Sequence, residues 1–310
     1  MSGHAKTTKA ATLRRLLRSG ELVVSPGVYD GYSARLVERS GFKTASTTGA
    51  GIANSRLGQP DIGILSLLEN VDTCRTIVRS CDLPVMADAD TGYGNAVTVF
   101  HIVSHFEEAG IVGINIEDQA MPKRCGHLQG KQLIPAREMA KKIEAAVAAR
   151  RDPDFIINAR TDAISLEGID GAIARAKLYA AAGADMIFPD AVKDEDQIKR
   201  LVDEVGIPIS INMGFGIRRR PTTPLLTCRR LQELGVARVS LPRMLPAAAV
   251  RAMELALKLM RQSVETGEVI DRPDLLASIE EITGLMGDSA MGELEKRFLL
   301  PEQLAAASGG

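Results

Sequence analysis

The chain has no Trp, only four Cys, no long apolar run and no surplus of charge of either sign. Each shortage removes a class of protein. Lys and Arg number 38 against 39 Asp and Glu, a formal net charge of −1. Neutralising the phosphates of a polyanion needs a basic excess, so no nucleic acid is expected as partner. No stretch reaches about 18 consecutive apolar residues, which excludes a membrane-spanning helix. The opening MSGHAKTTKA is polar and leads into TLRRLLRSG, which lacks the apolar core of a signal peptide and reads as a first helix. Cys74, Cys81, Cys125 and Cys228 form no CxxC pair and no dense framework, the usage of reduced thiols in a cytoplasmic protein. A hydrophobic content of 45% excludes a disordered chain. The 310 residues suit one large domain, two ordinary ones, or an α/β barrel of roughly 250 residues with extensions.

What is present is a repeat of short apolar runs. They cover residues 22–25, 44–47, 84–88, 112–117, 155–160, 186–189, 207–212 and 237–241. Each is too short for a helix and is bounded by Gly, Pro or charge, so each reads as a buried strand. Between them, apolar residues recur at 3–4 spacing over 33–40, 66–80, 96–109, 135–149, 168–182, 195–205 and 227–234, which predicts helices. Several of these end on Gly41, Gly110, Gly183 or Gly235, where a left-handed cap is expected. Eight β-then-α units in series predict a (β/α)8 TIM-type barrel. A doubly wound open sheet is the alternative, but no nucleotide fingerprint supports it. Helical patterns over 247–265, 273–283 and 289–298 exceed what a barrel needs. The domain reading is therefore a catalytic barrel with an N-terminal helix over 1–245 and a helical extension over 246–310, packing on a neighbouring subunit, with packing on its own barrel as the alternative.

In such a barrel the chemistry sits where the strands end. Those exits carry Asp88-Ala89-Asp90, Glu117-Asp118-Gln119, Arg160-Thr161-Asp162, Asp190 and Asn212. Asp88 and Asp90, two apart on a strand, should point to one side. With Glu117 on the next strand they would repel, and a divalent cation removes the conflict. Oxygen-only ligands favour Mg²⁺, with Mn²⁺ as the substitute. The competing reading makes these acids helix caps. Gly49-Ala50-Gly51 can offer backbone N–H groups to an anion. Arg160 is either a structural counter-ion or a fork for a substrate carboxylate. Lys123-Arg124-Cys125-Gly126-His127 places cations beside a thiol, which lowers a thiol's pKa and suits proton transfer; a solvated basic loop is the alternative. His101 and His105 have zinc-like i, i+4 spacing but no third ligand, so zinc is not expected. Arg218-Arg219-Arg220 reads either as a solvated loop or as a partner for an anionic substrate tail.

The segments 88–94 (DADTGYG), 116–119 (IEDQ), 123–127 (KRCGH), 159–163 (ARTDA) and 57–61 (LGQPD) resemble the isocitrate lyase/phosphoenolpyruvate mutase superfamily, and KRCGH its lyase branch. The similarity spans about 22–245. It implies a Mg²⁺-dependent barrel acting on 2-oxo or 2-hydroxy acids. Metal would be held at Asp88, with Asp61, Asp90 and Glu117 acting through waters. Thr48, Gly49 and Ala50 would cradle a carboxylate. Arg160 and Asn212 would contact substrate, with Tyr29, Asp90, Arg124, Gly126 and Asp190 also on the substrate side. Cys125 would act as general acid on a gating loop, and Lys123, His127 and Arg160 would offset negative charge. Tyr29 is a candidate base. The extra helices would swap between subunits of a homotetramer, a dimer of helix-swapped dimers. Two positions depart from the lyase pattern. Asp190 stands where Glu is usual, and the exit after Asn212 lacks the branch's usual text.

The resemblance implies a C–C bond lyase for a 2-hydroxy di- or tricarboxylate, such as 2-methylisocitrate or a substituted malate. The alternatives are an oxaloacetate hydrolase or decarboxylase, P–C bond mutase or hydrolase chemistry of the phosphonopyruvate type, and a non-catalytic ligand-binding barrel.

Overall fold

A computed structural model describes residues 7–124, 130–220 and 222–307. In chain order its elements are α1 (Lys9–Leu17), β1 (Val23–Val28), α2 (Gly31–Arg39), β2 (Ala45–Thr47), α3 (Gly49–Arg56), α4 (Leu67–Ser80), β3 (Val85–Asp88) and α5 (Ala96–Glu108). There follow β4 (Gly113–Glu117), α6 (Ala136–Ala149), β5 (Ile156–Thr161), α7 (Ile164–Ala181), β6 (Met186–Pro189), α8 (Glu195–Val205), β7 (Ser210–Asn212), α9 (Cys228–Glu233) and β8 (Arg238–Leu241). Beyond the last strand lie α10 (Met244–Thr266), α11 (Ile279–Met286), α12 (Asp288–Phe298) and α13 (Pro301–Ala307).

The eight strands follow the order β6-β5-β4-β3-β2-β1-β8-β7 and pair in parallel throughout. A parallel bridge between Ile187 and Ile209 joins the two ends, so the sheet is a nearly closed barrel with its helices outside. All eight predicted strands are present. The helices start where side chains can satisfy their first N–H groups. Asp30 and Ser33 form a capping box on α2, Ser66 and Glu69 on α4, and Asn95 caps α5. Gly41, Gly110, Gly183 and Gly235 adopt positive φ, giving the repeated helix-to-strand joint expected from their positions. Two details differ from the sequence pattern. The predicted 168–182 helix is extended at its start, because α7 is two helices meeting at Gly168. And 49–51, outside every predicted helix, forms the first turn of α3, capped by the Thr48 hydroxyl, which accepts from Gly51 N.

The chain divides into two compact units, Met1–Ala248 and Ala249–Gly310. The first has a large apolar core between strands and helices, including Phe106, Ile114, Ile157, Tyr179 and Ile187. In the second, α11 and α12 bury no residue, and Val269, Ile279 and Phe298 are exposed. Among the described residues, no helix is long and apolar enough to cross a membrane.

The barrel axis is polar as well as apolar. Arg238 of β8 is fully buried and donates to Ser210 Oγ at 2.9 Å, to Ser25 Oγ at 3.2 Å and to Ser46 Oγ. Burial pushes its guanidinium down to about 10, so it stays charged at neutral pH. Its hydrogen-bond partners among the described residues are hydroxyls, so each hydroxyl offsets part of a large desolvation cost. Ser210→Ala is expected to destabilise the protein by about 1–3 kcal/mol, because it strips a buried charge of a partner. Urea unfolding at neutral pH measures this, and an unchanged midpoint would show that the serine hydroxyl contributes nothing.

Candidate active site

The mouth is assembled from the residues that follow β2, β3, β4, β5, β6 and β7. β3 ends on Asp88, whose two carboxylate oxygens accept from Gly49 N at 3.3 Å and Asp90 N at 3.1 Å. Asp90 lies beyond the strand with φ +47°, so it reaches the mouth through a left-handed turn and not by strand alternation. The expectation that the two acids face one side holds for their carboxylates' proximity but not for the reason given. Asp90, Tyr93 and Ala191 are the described non-Gly residues with positive φ, and all follow β3 or β6 at the mouth. Asn70 of α4 braces that turn, donating to Asp88 O and to the Tyr93 hydroxyl at 2.7 Å each.

Gly49 is required by crowding, since a Cβ there would lie 2.8 Å from Asp88 Oδ2. Its N–H already donates to Asp88, and the N–H of Gly51 to Thr48. Of the proposed cradle, Thr48 and Ala50 line the cleft, together with Asp61, Asp88, Lys123, Arg160, Asp190, Asn212, Pro242 and Arg243.

Lys123 is buried, and its ammonium lies between Asp61 and Asp90, 2.7 Å from Asp90 Oδ1. Burial opposes its charge, but the carboxylates of Asp90, Glu117, Asp61 and Asp88 outweigh burial and hold its pKa well above the ordinary value. Burial pushes the Asp90 carboxyl up to about 6 against the pull of Lys123. Among the described residues no three His, Cys, Asp or Glu side chains converge tightly enough to hold a metal ion as they stand. One acid is nevertheless incompletely satisfied. Glu117 Oε1 is buried without a hydrogen-bond partner among the described residues. Burial pushes the Glu117 carboxyl well above its usual range, opposed by Arg160.

Arg160 is the hub of the other side. Its Nε meets Asp162 Oδ2 at 2.9 Å and Glu117 Oε2 at 3.2 Å, and its Nη2 meets Asp162 Oδ1 and Asp190 Oδ2 at 3.1 Å each. Phe188 lies under the guanidinium at 5.2 Å. Asp190, despite being one methylene shorter than Glu, also accepts from Asn212 Nδ2 at 3.2 Å. Asp118 and Asp162, at the exits of β4 and β5, face differently. Asp118 is buried behind the mouth, accepting from Thr161, Tyr179, Arg175 and Asp162 N.

Other expected residues fall less centrally. Tyr29 is half-buried beside the start of α3. Burial, then Asp30, push its phenol above the usual pKa, which makes it a poorer base at neutral pH. Arg124 is exposed, and its backbone N–H and C=O both pair with the Gln119 side chain. Cys125, Gly126 and His127 lie outside the described residues. His101 and His105 are exposed on α5. The Arg218–Arg220 run divides: Arg218 and Arg219 are exposed, whereas Arg220 turns inward to Asn212 O and Thr223 Oγ1. The sequence pattern singles out neither Lys131 nor Arg243, and it places Asp162 only at the exit of the fifth strand. A lone Lys after a loop and an Asp beyond an Arg carry no pattern of their own.

An eight-stranded parallel barrel whose mouth holds acids and buried cations defines a (β/α)8 enzyme scaffold. The chain belongs to the phosphoenolpyruvate phosphomutase family, whose pattern matches residues 13–261, within the isocitrate lyase/phosphoenolpyruvate mutase superfamily. It is 39% identical over 289 residues to 2,3-dimethylmalate lyase of Eubacterium barkeri, covering 93% of this chain and 98% of that one. It is 42% identical over 276 residues to 2-methylisocitrate lyase of Aeropyrum pernix, covering 89% and 86%. The crystal structure of phosphonopyruvate hydrolase in complex with oxalate and Mg²⁺ superposes with a TM-score of 0.82 at 31% identity, covering 94% of this chain and 100% of the other.

Removing the brace under the mouth should be measurable without any substrate. Asn70→Ala deletes the hydrogen bonds to Asp88 O and the Tyr93 hydroxyl and the one accepted from the Cys74 thiol, and a loss of about 1–3 kcal/mol is expected. A thermal midpoint equal to that of the parent protein would show that the 88–93 turn holds its left-handed residues unaided.

Proposed function

We propose that the protein is a C–C bond lyase that splits a 2-hydroxy di- or tricarboxylate, of the 2-methylisocitrate or substituted-malate kind, into a 2-oxo acid and a carboxylate. The observation that carries this reading is the placement of Lys123. Its burial against Asp61 and Asp90 draws the start of the 123–127 segment to the same mouth as Arg160. The similarity to two lyases for such acids supports it.

The donor set fits a hard divalent cation. Asp61, Asp88, Asp90 and Glu117 offer oxygen only, and the buried Glu117 Oε1 has no hydrogen-bond partner among the described residues. Mg²⁺, or Mn²⁺ in its place, would supply Lewis-acid polarisation of a substrate hydroxyl and carboxylate when held by these acids. The chain's own residues do the rest. Arg160 and Asn212 orient a substrate carboxylate, and Thr48 with the α3 N-terminus at Gly49 and Ala50 receives another. Asp190 keeps Arg160 and Asn212 in register by bonding both. A base on the substrate side of the mouth takes the hydroxyl proton, the oxygen's electron pair forms the new C=O, and the pair of the breaking C–C bond passes to the carbon of the departing carboxylate fragment. Cys125 gives its thiol proton to that carbon, and Lys123 and His127 offset the negative charge. Arg124 and Gly126 flank the thiol in sequence, and Tyr29 is assigned to the substrate side of the mouth. The free thiols Cys74, Cys81 and Cys228 suit a cytoplasmic location.

Cys125→Ser is expected to lower cleavage by about a hundredfold or more while Mg²⁺ and product binding persist. A variant cleaving at the parental rate would remove the general-acid role. Asp88→Ala should abolish turnover, and full activity of the parent in EDTA would reject the metal. The deciding experiment follows 2-oxo acid release with Mg²⁺ across 2-methylisocitrate, isocitrate, dimethylmalate, oxaloacetate and phosphonopyruvate. Cleavage of oxaloacetate or phosphonopyruvate alone would overturn the lyase reading, and no turnover of any acid would leave a binding barrel. The same reading makes the protein a homotetramer with exchanged C-terminal helices, supported by the exposed apolar residues of α11 and α12. Sedimentation equilibrium giving a monomer would reject it.

A further inference from the structure

The proposed chemistry leaves one buried cation near the mouth unused. Lys131 is buried, and its Nζ donates to Asp162 Oδ1 at 3.0 Å. That same oxygen accepts from Arg160 Nη2 at 3.1 Å, while Asp162 Oδ2 accepts from Arg160 Nε at 2.9 Å. Asp162 cannot move freely to suit either cation. Its N–H donates to Asp118 Oδ1 at 3.0 Å, and Asp118 is itself bonded by Thr161, Tyr179 and Arg175. The carboxylate is a fixed post with a cation on each side.

Consider what each side contributes. Arg160 faces three carboxylates, Glu117, Asp162 and Asp190, with five N–H donors in a rigid fork. An incoming substrate carboxylate competes with all three for that fork. Asp162 is the strongest competitor, because it alone takes a bidentate grip. Lys131 shares its Oδ1 and cancels part of its charge. Without Lys131 the full negative charge of Asp162 would bear on Arg160, tightening that grip and repelling a second anion nearby. Lys131 also stands next to the antiparallel clasp in which Gln119 bridges Leu133 and Ala120 N donates to Gln132 O. That clasp fixes where its backbone enters the cluster.

We propose that Lys131 is a positioning residue. Acting through Asp162, it loosens and aims the Arg160 fork so that the fork takes the carboxylate of a small acid. The inference rests on the reading of Arg160 as the substrate's carboxylate contact. Lys131 is not among the described residues that line the cleft.

The test uses the full-length protein with Mg²⁺ and oxalate, read by calorimetry, and KM with the best acid of the panel. Lys131→Met should weaken oxalate and raise KM by about tenfold with a smaller change in kcat, a size typical of outer partners of a binding group. Lys131→Arg should restore both to within about threefold. In an Asp162→Asn background the added Lys131→Met change should have a clearly smaller effect on oxalate affinity, because the route through Asp162 is already cut. The double variant also carries no orphaned buried carboxylate, so it remains informative should Lys131→Met alone fail to fold. An unchanged oxalate affinity in Lys131→Met, no rescue by arginine, or an equal effect in both backgrounds would overturn the proposal. Arg160→Lys is the control. Parental oxalate binding in that variant would sink the assignment of Arg160 itself, whereas weakened binding there with Lys131→Met unaffected would sink only the role of Lys131.

Discussion

The mouth depends on one constraint: Arg160 must be charged while buried, and burial opposes charge. Asp162, Glu117 and Asp190 supply that charge balance from the ends of β5, β4 and β6. The three acids are in turn tolerable only because the guanidinium is there. Such a cluster is a poor source of net stability, since desolvating its members cancels much of their attraction. Its value is geometric. A fork held by carboxylates from three separate strands keeps one orientation.

Lys123 plays the corresponding part on the opposite wall, between Asp61 and Asp90. The two cations face acids of different standing. Asp162 and Asp190 are held by hydrogen bonds on several sides, whereas Glu117 keeps one buried oxygen without a hydrogen-bond partner among the described residues. Both walls carry more carboxylates than cations: Asp61, Asp88 and Asp90 surround Lys123, and Glu117, Asp162 and Asp190 surround Arg160 and Lys131. The backbone at Asp90, Tyr93 and Ala191 takes left-handed conformations to present these groups, and Asn70 helps hold the first two in place. The cost of that geometry is borne by the packed barrel beneath.

The polar interior below the mouth follows the same logic with a different answer. Arg238 is as buried as any residue, but its partners are the hydroxyls of Ser25, Ser46 and Ser210. Hydroxyls stabilise a guanidinium less than carboxylates do, and burial accordingly pulls its pKa down while Arg160 is pushed up.

The barrel itself was legible in the linear order. Short apolar runs alternate with helix-spaced segments, and Gly41, Gly110, Gly183 and Gly235 mark the joints, because strand burial and left-handed caps are local properties. The acids at the strand exits were legible for the same reason. The first turn of α3 was not, because Gly-Ala-Gly has weak helix propensity and only the Thr48 cap and the packed barrel make it helical. Nor could alternation along a strand place Asp90, since the strand stops at Asp88 and the chain turns left-handed. The chain order alone determined which residue types arrive at the mouth. Which cation faces which acid was decided only by closing the barrel: Lys131 and Asp162, or Lys123 and Asp61, are far apart along the chain, and Coulomb forces between them exist only once the strands bring them within a few ångströms.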